Sequence, residues 1–193
     1  MTYLFIDTAA NHLIISIVKN MEMIYYIEEE NNKTLSSRIM PIIDKAFKEA
    51  NTKPNDIDTI FVVTGPGSFT GIRVGVTIAK TMAWGLNKKI IPLSELELMA
   101  TIHVDTDYIA PIIDARRGYV FGGVYDKELN NIIPDTHILL EDFKNQLPDN
   151  TTIVSSGKCD ILKIISKHEN SEGVNSHALK PNYLKKTEAE ENL

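Results

Sequence analysis

Cysteine is nearly absent: Cys159 stands alone in 193 residues. That excludes a disulfide framework and a four-cysteine zinc site, and nothing points to an oxidising compartment. Basic character is also lacking. Twenty basic residues against 26 acidic ones leave a formal net charge of −6. A chain that grips a phosphate backbone unaided presents a basic surface, whereas basic residues cluster here only as the pairs Lys88-Lys89, Arg116-Arg117 and Lys185-Lys186. Long apolar runs are missing too. The N-terminus and 60–63 are interrupted by charge or turn residues well short of the roughly 18 residues a membrane helix needs. The apolar N-terminus has no basic leader and contains Asp7, so it reads as a strand, and a cytoplasmic protein with no membrane contact is expected. The five histidines include no pair three or four apart, which excludes a helical two-histidine metal site.

What is present is an α/β alternation. Strand-like runs at 3–7, 13–18 and 23–27 are joined by short links, which predicts an antiparallel meander. Apolar residues at helical spacing predict a helix over 36–50, with Thr34 or Ser36 as its cap. The continuous apolar run Ile60-Phe61-Val62-Val63 predicts a strand covered on both faces. A glycine-containing loop then opens a long helix expected over 72–86. A short strand follows at 90–92. Ser94 and Glu97 make a capping box for a helix reaching about residue 102. Beyond it the chain reads as a smaller unit. Strands are expected at 108–114 and 119–125, weaker ones at 132–133 and 138–140, and another at 152–155. Helices are expected at 141–147 and 160–167, and residues 187–193 form a charged, frayed end. The expected division is 1–103 and 104–193, with a mixed sheet in an α/β fold.

The sharpest local signal is Gly65-Pro66-Gly67-Ser68-Phe69-Thr70-Gly71 between strand and helix. Gly65 and Gly67 permit close backbone approach, and a helix start favours an anion. Yet the loop does not match a Walker or dinucleotide pattern, because Thr70 stands where either motif needs something else. A tight strand-to-helix turn is the plainer reading. Ser68 lacks the following x-Gly of a nucleophile elbow.

Within the helix, Gly71, Gly75, Ala79 and Ala83 recur every four residues and so share one face almost bare of side chains. Ile72, Val76 and Met82 lie beside them. Glycine at 75 costs about 1 kcal/mol of helix propensity relative to alanine, a cost that close approach of another backbone would offset. That partner is either the protein's own sheet or a helix of a second subunit. Asp7-Thr8 and Asp114 end strands. Such carboxylates either form a nucleotide site or cap turns and pair with Arg73 or Arg116. Cys159 has no histidine close in sequence to activate it.

Four stretches resemble the TsaB (YeaZ) family: FIDTA at 5–9, GPGSFTGIRVG at 65–75, IIDARRG at 112–118 and PNYLKK at 181–186. They occur in the family's order and span nearly the whole chain. The positions matching the family motif are Gly65, Pro66, Gly67, Ser68, Phe69, Thr70, Gly71, Arg73, Asp114, Ala115 and Arg116. The resemblance implies a duplicated ribonuclease-H-like fold of the actin, Hsp70 and sugar-kinase kind, its second half cut short. It implies a non-catalytic subunit, without cofactor or metal, of the machinery that forms N6-threonylcarbamoyladenosine in tRNA. Such a subunit binds and activates a TsaD-type transferase, is joined by a TsaE-type ATPase, meets tRNA only through the complex and forms a homodimer when alone. The expected partner surface is the small-residue helix: Gly71, Ile72, Gly75, Val76, Ala79, Met82 and Ala83. Two positions depart from the family pattern: Leu35 stands where a histidine is frequent, and Tyr119 where an acid is. The competing reading is a small nucleotide-binding phosphotransferase or ATPase using Asp7, Thr8, Gly65, Gly67 and Asp114. A peptidase would need a nucleophile–base pair or a metal site that the sequence does not display.

Overall fold

A computed structural model describes residues 1–10, 12–30 and 34–185. The expectation of a frayed 187–193 lies outside the described residues. The first sheet comprises β1 (Thr2–Asp7), β2 (His12–Lys19), β3 (Glu22–Glu30), β4 (Thr59–Val63) and β5 (Lys89–Leu93), in the spatial order β3-β2-β1-β4-β5. β2 pairs antiparallel with both β1 and β3, while β4 lies parallel to both β1 and β5. Every residue of β1 and β4 is buried, which is why both read as continuous apolar runs rather than alternating ones.

Helices α1 (Leu35–Glu49) and α2 (Phe69–Leu86) pack on this sheet. Helix α1 buries Ile39, Ile42, Ile43, Ala46 and Phe47, the stripe its apolar spacing demands. Its Pro41 is exposed in the second turn. Helix α2 begins at Phe69 rather than Ile72. Ser68 Oγ accepts from the Gly71 N–H at 3.2 Å, so the cap falls inside the loop. Asn87 ends the helix in the left-handed region at φ 52°.

The second sheet holds β6 (Tyr108–Asp114), β7 (Tyr119–Asp126), β8 (Asn131–Leu139) and β9 (Thr151–Val154), in the order β8-β7-β6-β9. Likewise β7 pairs antiparallel with both β6 and β8, and β9 lies parallel to β6. The arrangement repeats that of the first sheet, one strand short. The weak segments at 132–133 and 138–140 belong to a single strand except for Leu140, which opens the next helix. Pro134 is tolerated because β8 is an edge strand.

Helices α3 (Glu95–Met99), α4 (Leu140–Lys144) and α5 (Ile161–His168) complete the chain. The Ser94 hydroxyl caps α3 by accepting from Leu96 N–H, but Glu97 does not close the expected box: its carboxylate meets His168 Nε2 of α5 at 2.7 Å. One apolar core runs from the first sheet through α3 and α5 to Ile109 and Tyr125 of the second sheet. A smaller core gathers Ala110, Val120, Val124 and Phe143. The stretch after α5 returns to the first sheet. Val174 N–H donates to Ile90 carbonyl at 3.0 Å, Leu179 is buried, and Asn182 N–H donates to Thr64 carbonyl at 2.7 Å. Among the described residues no helix is long and apolar enough to cross a membrane.

Candidate functional site

The parallel strands deliver their carboxyl ends to one edge of the first sheet, the place where open α/β sheets hold ligands. Asp7 ends β1, the glycine loop follows β4, and Glu95 follows β5. Asp114 ends β6 of the second sheet. A cleft of about 680 Å³ opens between these ends, lined by His12, Glu95, Asp114, Arg116, Gly157 and Cys159 among others.

Asp7 and Glu95 are both fully buried. One Asp7 oxygen, Oδ1, accepts from Ala9 N–H at 2.8 Å, and Oδ2 lies 3.2 Å from His12 Nε2. The other imidazole nitrogen, Nδ1, faces Glu28 Oε1 at 4.0 Å. Burial, with Asp7 beside it, pushes the Glu95 carboxyl well above the usual carboxylate range. The hydrogen bond to Asp7 raises the His12 pKa against the opposing effect of burial. Cys159 is not a thiolate: burial first, then the negative charge of Glu95, Asp7 and Glu28, pushes its pKa up to about 12.

The expectation that the strand-end carboxylates cap turns and pair with Arg73 or Arg116 holds for the turns, where both accept from backbone N–H groups, but among the described residues neither forms an ion pair with an arginine. Asp7 takes His12 as its ionic partner. Asp114 Oδ1 instead accepts from the backbone N–H of Arg116 at 2.8 Å, closing a turn in which Arg116 and Arg117 have φ of 67° and 53°. Ala115 N–H donates to Tyr119 carbonyl at 2.9 Å in the same turn.

The glycine loop is likewise turned to its own chain. A Cβ on Gly65 would fall 2.3 Å from Asn182 carbonyl oxygen, and one on Gly67 would fall 2.1 Å from Ala9 carbonyl oxygen. Ser68 N–H donates to Ala9 carbonyl at 2.6 Å, and Ile72 N–H to Ser68 carbonyl at 2.9 Å. Carbonyl oxygens therefore crowd both glycines where a phosphate would have to approach, and they repel an anion. Pro66 is buried within this packing. Of the five candidate nucleotide contacts, only Asp114 lines the cleft; Asp7 is buried behind His12, and Thr8, Gly65 and Gly67 serve internal packing.

The small-residue stripe also faces inward. Gly71, Ile72, Gly75, Val76, Ala79 and Ala83 are all buried in the monomer. A Cβ on Gly75 would lie 2.2 Å from Thr8 Oγ1, whose hydroxyl donates to Gly71 carbonyl at 2.7 Å. The chain's own first strand thus supplies the close approach that the glycines allow. The stripe is not the partner surface expected of it; of that set only Met82 is half-exposed. Sequence spacing shows which residues share a face but not what the face meets.

The outward side of α2 differs. Val74, Ile78 and Met82, four apart, form a half-exposed apolar flank, and Trp84 is 66% exposed. Along another flank lies the returning segment. Arg73 Nε donates to Tyr183 Oη at 2.8 Å, the Arg73 guanidinium sits 3.8 Å over the Phe69 ring, and Phe69 stacks on Tyr183 at 5.0 Å. Lys80 Nζ donates to His177 and Leu179 carbonyls at 3.2 and 2.8 Å. Two of the sequence motifs thus meet in space. Thr70 is exposed beside them. Leu35, one of the two departures, is buried at the start of α1, and Tyr119, the other, stacks on His137 at 4.8 Å.

Sequence reasoning noted Asp7 but missed His12 and Glu95 as its companions. The available signal was positional: Glu95 directly follows a parallel strand, on the edge where Asp7 ends another.

Residues 27–151 match the family described as TsaD, tRNA N6-adenosine threonylcarbamoyltransferase. A Bacillus subtilis protein named tRNA threonylcarbamoyladenosine biosynthesis protein TsaB is 38% identical over 154 residues, covering 77% of this chain and 67% of that protein. The Haemophilus influenzae protein of the same name is 32% identical over 124 residues, 63% of this chain and 52% of its own length. The chain thus spans between about half and two thirds of these curated relatives. A solved structure of YeaZ from Pseudomonas aeruginosa superposes with a TM-score of 0.77 at 19% identity, over 95% of this chain and 99% of that one. The architecture is the one that YeaZ structure shows, and in this chain the second mixed sheet is one strand smaller than the first.

Proposed function

Because the chain belongs to the TsaB (YeaZ) family, we propose that it takes part in tRNA threonylcarbamoyladenosine biosynthesis as a non-catalytic subunit. It binds and activates a TsaD-type transferase, with a TsaE-type ATPase joining the assembly, and it pairs with itself when alone. tRNA is met through the complex, in the cytoplasm. Its halves divide at 103/104.

The observation that carries this reading is the contrast between the two sides of the Gly65–Gly71 unit. The side a nucleotide would need is filled by the chain's own carbonyl oxygens from Ala9 and Asn182. The outward side of α2 offers instead the apolar flank Val74, Ile78 and Met82 with exposed Trp84. Aliphatic residues that pack on the core yet stay half-exposed, beside an exposed tryptophan, are what a protein partner covers.

Co-expression with the TsaD-type and TsaE-type proteins of the same organism tests this. A complex that survives size-exclusion chromatography is expected, and depletion of the chain should lower the threonylcarbamoyladenosine content of tRNA hydrolysates. Absence of both effects overturns the proposal. Steady ATP turnover by the isolated chain, lost in Asp7→Ala, would instead establish the phosphotransferase reading.

A further inference from the structure

At the floor of the cleft, Asp7, His12 and Glu95 each bring one ligand atom to within 4.8 Å of the others. They come from three elements: the end of β1, the start of β2 and the start of α3. The first is wholly buried, Glu95 is 1% exposed, and the His12 side chain is 29% exposed towards the cleft. Glu95 Oε2 is shut off from solvent and has no hydrogen-bond partner. Among the described residues no lysine or arginine forms an ion pair with Asp7 or Glu95.

A buried carboxyl oxygen without a partner is costly, and two acids this close cannot both ionise there without a counter-charge. A cation placed among the three groups would give that oxygen a partner and take the place of the Glu95 proton. One imidazole nitrogen with two carboxylate oxygens suits zinc and its first-row neighbours. Magnesium and calcium favour all-oxygen shells. The imidazole is also oriented as a ligand should be. Its Nε2 points to Asp7 while Nδ1 faces Glu28, the outer carboxylate that commonly fixes a metal-bound histidine. We propose that Asp7, His12 and Glu95 bind a divalent first-row transition-metal ion at the base of the cleft. Three protein ligands leave a coordination position open, and the cleft lined by Asp114 and Arg116 stands above it.

This site is independent of the partner-binding role. Chelator-stripped full-length chain is titrated calorimetrically with zinc chloride and, separately, magnesium chloride. One equivalent of zinc is expected, with magnesium far weaker. Affinity should fall on the order of tenfold or more in both Glu95→Gln and His12→Gln, the scale on which removing even an outer-shell group acts. His103→Gln, whose side chain is 93% exposed away from the cluster, should bind as the parent does. Circular dichroism checks the fold of each variant. Because His12 is partly exposed, His12→Gln keeps the test decisive should Glu95→Gln misfold. Cobalt should give visible d–d absorption in the parent that is lost in His12→Gln. Failure of the stripped parent to bind one equivalent, or unchanged affinity in His12→Gln, overturns the proposal.

Discussion

Thr8 Oγ1 stands 2.2 Å from where a Cβ on Gly75 would be. The hydroxyl is held there by its bond to Gly71 carbonyl, so the conflict is built into the joint between β1 and α2. Gly75→Ala should therefore destabilise by about 1–3 kcal/mol through overpacking, although alanine is the better helix former. Removing the obstacle in Thr8→Ala should make the same substitution less harmful, with a coupling of about 0.5–3 kcal/mol. Urea denaturation of the double-mutant cycle measures it. A stabilising Gly75→Ala in the parent background would refute the packing argument.

The apolar flank of α2 gives a different expectation. Met82→Glu places a charge on a half-exposed position beside Ile78. It should weaken association with the TsaD-type subunit, and self-association, by about tenfold or more, equal to about 1.4 kcal/mol. The melting curve should move little. Unchanged association measured by sedimentation would assign the contact to another surface.

Arg73 fastens the returning segment by stacking and by one hydrogen bond. Arg73→Ala should open residues 175–185 to limited proteolysis without unfolding the sheets. Arg73→Lys should restore protection only in part, because lysine lacks the planar guanidinium that stacks on Phe69. Equal protection in all three chains would show that backbone bonds alone hold the segment.

Asp135 of β8 accepts from Ser94 Oγ and Tyr125 Oη, each at 2.5 Å. Asp135→Ala leaves a largely buried tyrosine hydroxyl without its acceptor and should cost about 1–3 kcal/mol. Asp135→Asn, which retains an acceptor oxygen, should cost less. Chemical denaturation of the two variants ranks them.

The thiol of Cys159 supplies a pH dependence. Folded, it holds its proton until about pH 12; unfolded, it loses it near 8.5. Above about pH 8.5 the folded state binds the extra proton, so its contribution to stability declines as pH rises. At pH 8 the thiolate fraction is on the order of a thousandfold lower in the folded chain. Iodoacetamide should label it slowly until urea is added. Rapid labelling without denaturant would contradict the suppressed ionisation of this half-buried thiol.

The strand and helix pattern was largely legible in the sequence because burial leaves its period in the apolar residues. Ile39, Ile42, Ile43, Ala46 and Phe47 announced α1, and the continuous run at 60–63 announced a strand covered on both faces. Boundaries slipped where side-chain chemistry decided them. Ser68 captures the Gly71 amide and draws Phe69 into α2, and Glu97 is claimed by His168 instead of its own helix end. The site was harder to see. The trio of buried Asp7 and Glu95 with half-buried His12 is assembled by strand order, and no local spacing encodes the order β3-β2-β1-β4-β5. The small-residue stripe failed as an interface for the related reason that two faces of a helix look alike until the sheet chooses one.

Asn182 lies against Gly65, so the strand-to-helix joint after β4 is finished only by residues that follow the second sheet. On the ribosome the first sheet must therefore wait, its seam uncovered, until Asn182 has emerged. A transcript cut short before that codon would yield a chain whose first sheet is complete but whose seam stays open to proteases.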